Sequence, residues 1–179
     1  MKTEQASPLS SPLSSPLCGR RVLVAVSGSI AAVKTPLLVS ALIKAGAEVR
    51  CLVTASGAAL VSPVALASLS RHRCYLEADQ WDSASSRPLH IELAEWAELA
   101  IVAPLSASSL SRWSQGSADG LLASVLLAME APVIAAPAMN TAMWRHPAVQ
   151  RNWEQIQSFP GVVPLVPCLL YTSDAADDC

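Results

Sequence analysis

Val22-Leu23-Val24-Ala25-Val26, followed by Ser27-Gly28-Ser29-Ile30, decides the fold of this chain. The first five residues are continuously apolar and largely β-branched, the mark of a strand buried on both faces of a parallel sheet. The run breaks at three small residues. Residues 30–45 then carry apolar side chains at helical spacing, Gly46 supplies a stop, and residues 49–54 return to a strand pattern. That is one βαβ unit, and a doubly covered sheet follows from it.

The alternation continues outward. Ser62-Pro63 starts a helix by cap and first-turn proline, running to about residue 69. Residues 71–88 read as irregular surface and 89–96 as a short helix or turn. Residues 99–103 form a buried strand that Pro104 terminates. Helices are expected over 106–114 and, started by Asp119, over 119–130. A strand at 133–136, a loop at 137–144, a helix over 141–158 and a strand at 162–166 complete the pattern. Strand and helix alternate throughout, so the expected fold is a doubly wound α/β three-layer sandwich with a parallel sheet and right-handed crossovers.

With 179 residues, 52% hydrophobic and 15% charged, the chain suits one domain with a full core. A net charge of -2, with no basic patch or basic-aromatic interleaving, gives no footprint for nucleic acid. The longest apolar stretches fall short of the roughly 20 residues a membrane helix needs. A soluble, cytoplasmic protein is expected. The five cysteines show neither CxxC spacing nor a disulfide framework, so no metal is expected and a reducing compartment fits them; Cys51, inside an apolar run, reads as a small buried hydrophobe.

Ser-Pro-Leu occurs three times within residues 7–17, and closely spaced prolines oppose both helix and sheet. Residues 1–20 are therefore expected to be a disordered leader, ahead of a domain spanning 21–167. A transit peptide is weakly supported, since Lys2 is the one base in the first nineteen residues.

Four constellations carry possible chemistry. In the turn at 27–30, backbone N–H groups, Gly28 and the hydroxyls of Ser27 and Ser29 could hold a phosphate, or the small residues could serve steric needs alone. Lys34 reads as a phosphate partner or a solvated helix charge. Ala103-Pro104-Leu105-Ser106-Ala107-Ser108-Ser109 sets three hydroxyls at another strand end, where they could bind phosphate or ribityl oxygens or simply cap a helix. Two such turns on parallel strands share one edge of the sheet, which favours a phosphorylated cofactor there. His90, in Leu89-His90-Ile91-Glu92-Leu93, is either a structural imidazole or a group that moves a proton beside that cofactor. Pro137-Ala138-Met139-Asn140-Thr141-Ala142-Met143-Trp144 brings an amide, two thioethers and an indole to a strand end. Asn140 reads there as a substrate contact or as a helix cap, with Met139, Met143 and Trp144 as packing.

Together these segments, Val-Ser-Gly-Ser-Ile-Ala-Ala-Val-Lys at 26–34, Leu-His-Ile-Glu-Leu at 89–93, Ala-Pro-Leu-Ser-Ala at 103–107 and the 137–144 segment, resemble the flavin-containing cysteine decarboxylases over residues 21–167. The resemblance implies a flavodoxin-like, Rossmann-like fold, flavin mononucleotide (FMN) as cofactor, and a homotrimer with active sites between neighbouring subunits. It implies cofactor contacts at Gly28, Ser29, Thr54 and Ser106, His90 as catalytic base, Asn140 on the substrate carboxylate as a second catalytic group, and Met143 nearby. The tryptophan of the 137–144 segment favours the coenzyme A branch, whose substrate is 4'-phosphopantothenoylcysteine. The implied reaction oxidises the cysteine end through flavin, releases carbon dioxide to an enethiolate and returns the hydride to give 4'-phosphopantetheine.

Other branches imply other functions: peptidyl-cysteine decarboxylases, and regulatory subunits that inhibit a protein phosphatase and are marked by long acidic tails. Departures from the family are Ser108-Ser109 where it has Asn-Thr, and Gly120 where it has Asn after Asp. The family's Ala-Cys-Gly-Asp flap has no counterpart in residues 168–179, which read as sequence foreign to the family, and Cys168 lacks the Gly-Asp context of the flap cysteine. From this, carbon dioxide release with little reduction to the saturated product is expected.

Overall fold

The computed structural model describes residues 17–81 and 86–170. Most of the expected leader and residues 171–179 of the expected foreign tail lie outside them. Six parallel strands run in the order β3-β2-β1-β4-β5-β6. They are β1 (Arg21–Val26), β2 (Glu48–Val53), β3 (Cys74–Leu76), β4 (Leu99–Leu105), β5 (Val133–Asn140) and β6 (Val162–Pro164). This is the doubly wound order of a Rossmann-like sheet, with its reversal between β1 and β4. A short strand β7 (Cys168–Leu170) runs parallel to the end of β5, Ala138 to Asn140.

Helices cover both faces. α1 (Thr35–Lys44) and α3 (Pro63–Ser70) enclose a core with Val22, Val24, Val26, Val39, Val49, Val53 and Leu66. On the other side α4 (Leu89–Trp96), α5 (Ala107–Ser114), α6 (Leu121–Ala128) and α8 (Pro147–Gln157) enclose one with Leu23, Leu52, Leu93, Leu110, Leu121 and Ile156. α2 (Ala55–Ala58) and α7 (Thr141–Trp144) are single turns directly after β2 and β5. Alternate residues of β1 feed opposite cores, which is why its sequence shows no polar alternation.

Several expectations are corrected. Residues 71–88 contain β3 and a 3-10 turn, Glu77–Trp81, since a three-residue edge strand is too short to show a period. The first helix does not start at the glycine turn. A 3-10 segment, Ile30–Lys34, comes first and α1 begins at Thr35-Pro36. Neither Pro104 nor Pro137 ends its strand. The β4–β5 register shifts between Val102 and Leu105, and Leu105 then pairs with Pro137, so both prolines lie at an irregular stretch of the ladder where a missing N–H is tolerated.

The 141–158 helix is split. His146 adopts an extended backbone before Pro147, and its Nδ1 accepts from the Ala148 amide at 3.2 Å to start α8. At the expected start of the domain, residues 17–19 form a turn in which the Gly19 amide donates to the Gly46 carbonyl, so the docked chain begins before Arg21. Cys168 is disulfide-bonded, which the cysteine spacing does not foreshadow. Among the described residues no helix is long and apolar enough to cross a membrane, and no His/Cys/Asp/Glu group could hold a metal ion.

Candidate functional site

The reversal between β1 and β4 leaves a crevice outside the carboxyl ends of the strands, the place where open α/β sheets bind ligands. A cleft of about 290 Å³ lies there, lined by Gly28, Thr54, Ser106 and, among others, Ser56, Ser109 and Arg112. Three of the four expected cofactor residues thus meet in one hollow. The fourth, Ser29, follows Gly28 directly and is buried, and its hydroxyl has no hydrogen-bond partner among the described residues. An orphaned buried hydroxyl beside a polar cleft is costly unless a ligand or water completes it.

Gly28 is required by close approach. A methyl built on its Cα would overlap the Cβ of Ser56, which α2 brings against the turn. Thr54 precedes α2, and its hydroxyl accepts from the Gly57 amide at 3.1 Å. Ser106 precedes α5 and accepts from the Ser109 amide at 3.3 Å. Both hydroxyls cap helices, so the capping alternative for the serine turn holds at Ser106, and Thr54 caps α2, a role the sequence reading does not assign it. Thr54 keeps its proton for a ligand, whereas Ser106 donates to the Ser109 hydroxyl at 3.3 Å and keeps a lone pair.

The far wall of the cleft was not legible as a site. Glu77 reaches across to α6, where Oε2 accepts from the Leu121 amide at 2.5 Å. Gly120 admits it, because a Cβ there would lie 2.6 Å from that oxygen. Glu77 therefore takes the capping role expected of Asp119, which instead pairs with Arg112 at 3.3 Å and accepts from the Ser117 hydroxyl at 2.8 Å. Ser108 also lines the cleft. The signal for Glu77 is its carboxylate just past a strand end, but its partner lies 44 residues away.

His90, Asn140 and Met143 do not line this cleft. His90 sits in the first turn of α4, which runs back toward the start of β4, so that turn lies toward the carboxyl edge of the sheet. Its Nδ1 is buried without a partner among the described residues. Asn140 ends β5, and its Oδ1 accepts from the Ala142 amide at 2.8 Å, which makes it the cap of α7. That bond fixes the amide: the oxygen faces the helix and the NH₂ group faces away. Met139 is buried and Trp144 packs edge-on against Trp153 at 5.6 Å, so both serve the core, whereas Met143 is 49% exposed. The 137–144 segment is therefore half strand and half helical turn rather than a loop.

Neither Cys51 nor Cys74, which pair across β2 and β3, is activated. Burial, with Cys74 adding to it against a smaller opposing hydrogen bond from Ser70, pushes Cys51 up to about 12, and burial followed by Asp79 pushes Cys74 up to about 11. The structural reading of Cys51 stands.

The family model described as Flavoprotein matches residues 10–178. The bifunctional coenzyme A biosynthesis protein CoaBC of Bacillus subtilis is 45% identical over 136 residues, covering 76% of this chain and 33% of its own length. Mouse phosphopantothenoylcysteine decarboxylase is 41% identical over 155 residues, covering 83% of this chain and 73% of its own length. The chain thus spans about a third of that bacterial relative and nearly three quarters of the mouse one.

Among solved structures, a PPC decarboxylase mutant complexed with pantothenoylaminoethenethiol superposes with a TM-score of 0.75 at 35% identity, covering 82% of this chain and 81% of that one. The FMN-binding protein AtHal3 gives 0.77 at 34% identity, covering 89% and 86%. By the extent of the family match, and by identities carried over most of its length, the chain belongs to the flavoprotein family.

Proposed function

We propose that the chain binds FMN in the cleft between the ends of β1 and β4 and with it oxidises and decarboxylates the cysteine end of 4'-phosphopantothenoylcysteine. The observation that carries the cofactor is the buried hydroxyl of Ser29, unpartnered among the described residues, beside a cleft whose Gly28 turn packs against Ser56 more closely than a side chain would allow. A phosphate or ribityl oxygen completes that hydroxyl, Thr54 offers a further hydroxyl proton, and Ser106 with Ser109 forms a hydrogen-bonded hydroxyl pair along the same wall. The names of the relatives support the substrate: phosphopantothenoylcysteine decarboxylase in the mouse, and a PPC decarboxylase holding an enethiol, the form a cysteine end takes after oxidation and loss of carbon dioxide.

FMN, when bound, supplies the two-electron oxidation of the thiol-bearing carbon, giving a thioaldehyde that accepts the electron pair left by the departing carboxyl group. Asn140 points its NH₂ donors at the carboxylate while its oxygen stays on α7. A neutral amide orients the carboxylate without the ground-state stabilisation an arginine would give, so binding does not oppose carbon dioxide loss. His90 takes the thiol proton, and the open Nδ1 marks where its ring lacks a protein partner. Met143 gives the substrate an apolar surface next to Asn140. These residues serve oxidation and decarboxylation, and carbon dioxide is the product to follow.

The working unit in this proposal is a homotrimer. Ile30, Val33 and Leu37 stand 49%, 48% and 72% exposed at helical spacing, and Val64 of the neighbouring α3 is 75% exposed. An apolar hollow of about 200 Å³ lined by Ala31, Leu38, Pro104, Pro137, Leu165 and Val166 continues the surface, and an apolar area of this kind is the mark of an interface. A second copy seated there brings its residues to the edge that carries Asn140. Titration of purified protein with FMN tests the cofactor: flavin fluorescence is expected to quench to one equivalent per chain, and unquenched flavin throughout contradicts the proposal.

A further inference from the structure

Ser27, whose hydroxyl reads in the sequence as a possible phosphate donor, instead commits that hydroxyl within the protein. Its side chain is fully buried. The hydroxyl donates to the Pro104 carbonyl at 2.7 Å and accepts from the Ser106 amide at 2.7 Å, while its own amide donates to the same Pro104 carbonyl at 3.2 Å. Ser27 opens the turn that holds Gly28 and Ser29, and Ser106 opens α5. The two segments are 79 residues apart in sequence and meet across the strands that flank the reversal point.

Regular ladder pairing does not make this connection. The β1–β4 ladder pairs Val22 with Leu99 through Ala25 with Val102 and stops there, short of the turn. Beyond that point β4 has lost register with β5 as well. The turn and the Ser106 cap are therefore held together by the Ser27 hydrogen bonds rather than by the sheet, with Thr35 adding a bond from its hydroxyl to the Ala103 carbonyl at 3.2 Å on the other side. One hydroxyl, with its proton and a lone pair both committed, sets the separation of the two walls.

We infer that Ser27 is a positioning residue: it clamps the Gly28-Ser29 turn to the Ser106 cap so that the two act as a single cradle for the phosphorylated ligand. This rests on the FMN reading above. Alanine at position 27 leaves the Ser106 amide without its acceptor and the Pro104 carbonyl with the longer backbone bond from residue 27, which loosens the joint between the two walls. Threonine keeps the hydroxyl.

The test compares wild type, Ser27→Ala and Ser27→Thr by FMN titration, by thermal melting without ligand and by hydrogen exchange at the Ser106 amide. Ser27→Ala is expected to bind FMN about tenfold more weakly and to lose protection at the Ser106 amide, with Ser27→Thr restoring both. A Ser27→Ala protein that melts lower but binds FMN as wild type does makes Ser27 a purely structural residue and overturns the inference. Wild-type protein that binds no FMN sinks the cofactor reading, whereas the exchange arm needs no ligand: Ser106 protection unchanged in Ser27→Ala overturns the clamp on its own.

Discussion

In the proposed mechanism the carboxamide of Asn140 serves the Ala142 amide with one end and the substrate carboxylate with the other, and substitutions separate the two. Asn140→Asp keeps an acceptor for the Ala142 amide, so α7 and overall stability are expected to hold, but it replaces NH₂ donors with a carboxylate that repels the substrate's own. Decarboxylation is expected to fall by about a hundredfold or more while the melting temperature stays near wild type. Asn140→Ala loses the cap as well, at about 1 kcal/mol. A paired measurement of rate and melting curve on both variants decides the point, and an Asn140→Asp protein with wild-type turnover contradicts the assignment.

Cys51 supplies a second test at this scale. Its folded-state pKa is raised from the usual thiol value near 9 to about 12, so the neutral thiol is the form the fold prefers. The stability it contributes is complete below pH 9 and is lost as pH rises toward 12. Denaturant unfolding across that window is expected to fall more steeply for wild type than for Cys51→Ala. Exposed Cys18 is expected to be alkylated in the native state at pH 8 and Cys51 to stay unlabelled.

At the scale of elements, the site depends on turns placed by close approach. Gly28→Ala forces Ser56 and α2 away from the first turn, and FMN affinity is expected to drop more than global stability does. Glu77→Ala leaves the first turn of α6 without its carboxylate cap and is expected to cost about 1–2 kcal/mol in denaturant unfolding, with Glu77→Gln recovering part of it. The strand at 22–26, the turn after it and the second turn at Ser106 were legible because buried parallel strands and small-residue turns leave local signatures. Gly28, Thr54 and Ser106 reached one cleft for that reason. The Glu77 cap and the Ser27 clamp were not legible: each joins residues far apart in the chain, and neither a carboxylate past a strand end nor a turn serine names its distant partner. Pro104 and Pro137 misled for the converse reason. A proline stops a strand only where the ladder needs its amide, and the register shift that removes that need belongs to the pair of strands rather than to either sequence.

At the scale of the whole molecule, the apolar stripe along Ile30, Val33 and Leu37 and the apolar hollow beside it are what a single copy leaves uncovered. Sedimentation is expected to find trimers for the wild type, and Leu37→Asp, at a position 72% exposed in one chain, is expected to yield smaller species that still melt cooperatively. A wild-type monomer at micromolar concentration removes the assembly from the account and leaves the cleft untouched. Loaded with FMN, this fold is expected to remove the carboxyl group of a cysteine-ended phosphopantothenoyl substrate. Release of labelled carbon dioxide from carboxyl-labelled 4'-phosphopantothenoylcysteine tests it most directly: FMN-dependent release that is abolished in His90→Asn and Asn140→Asp is predicted, and no release by flavin-loaded wild-type protein contradicts it.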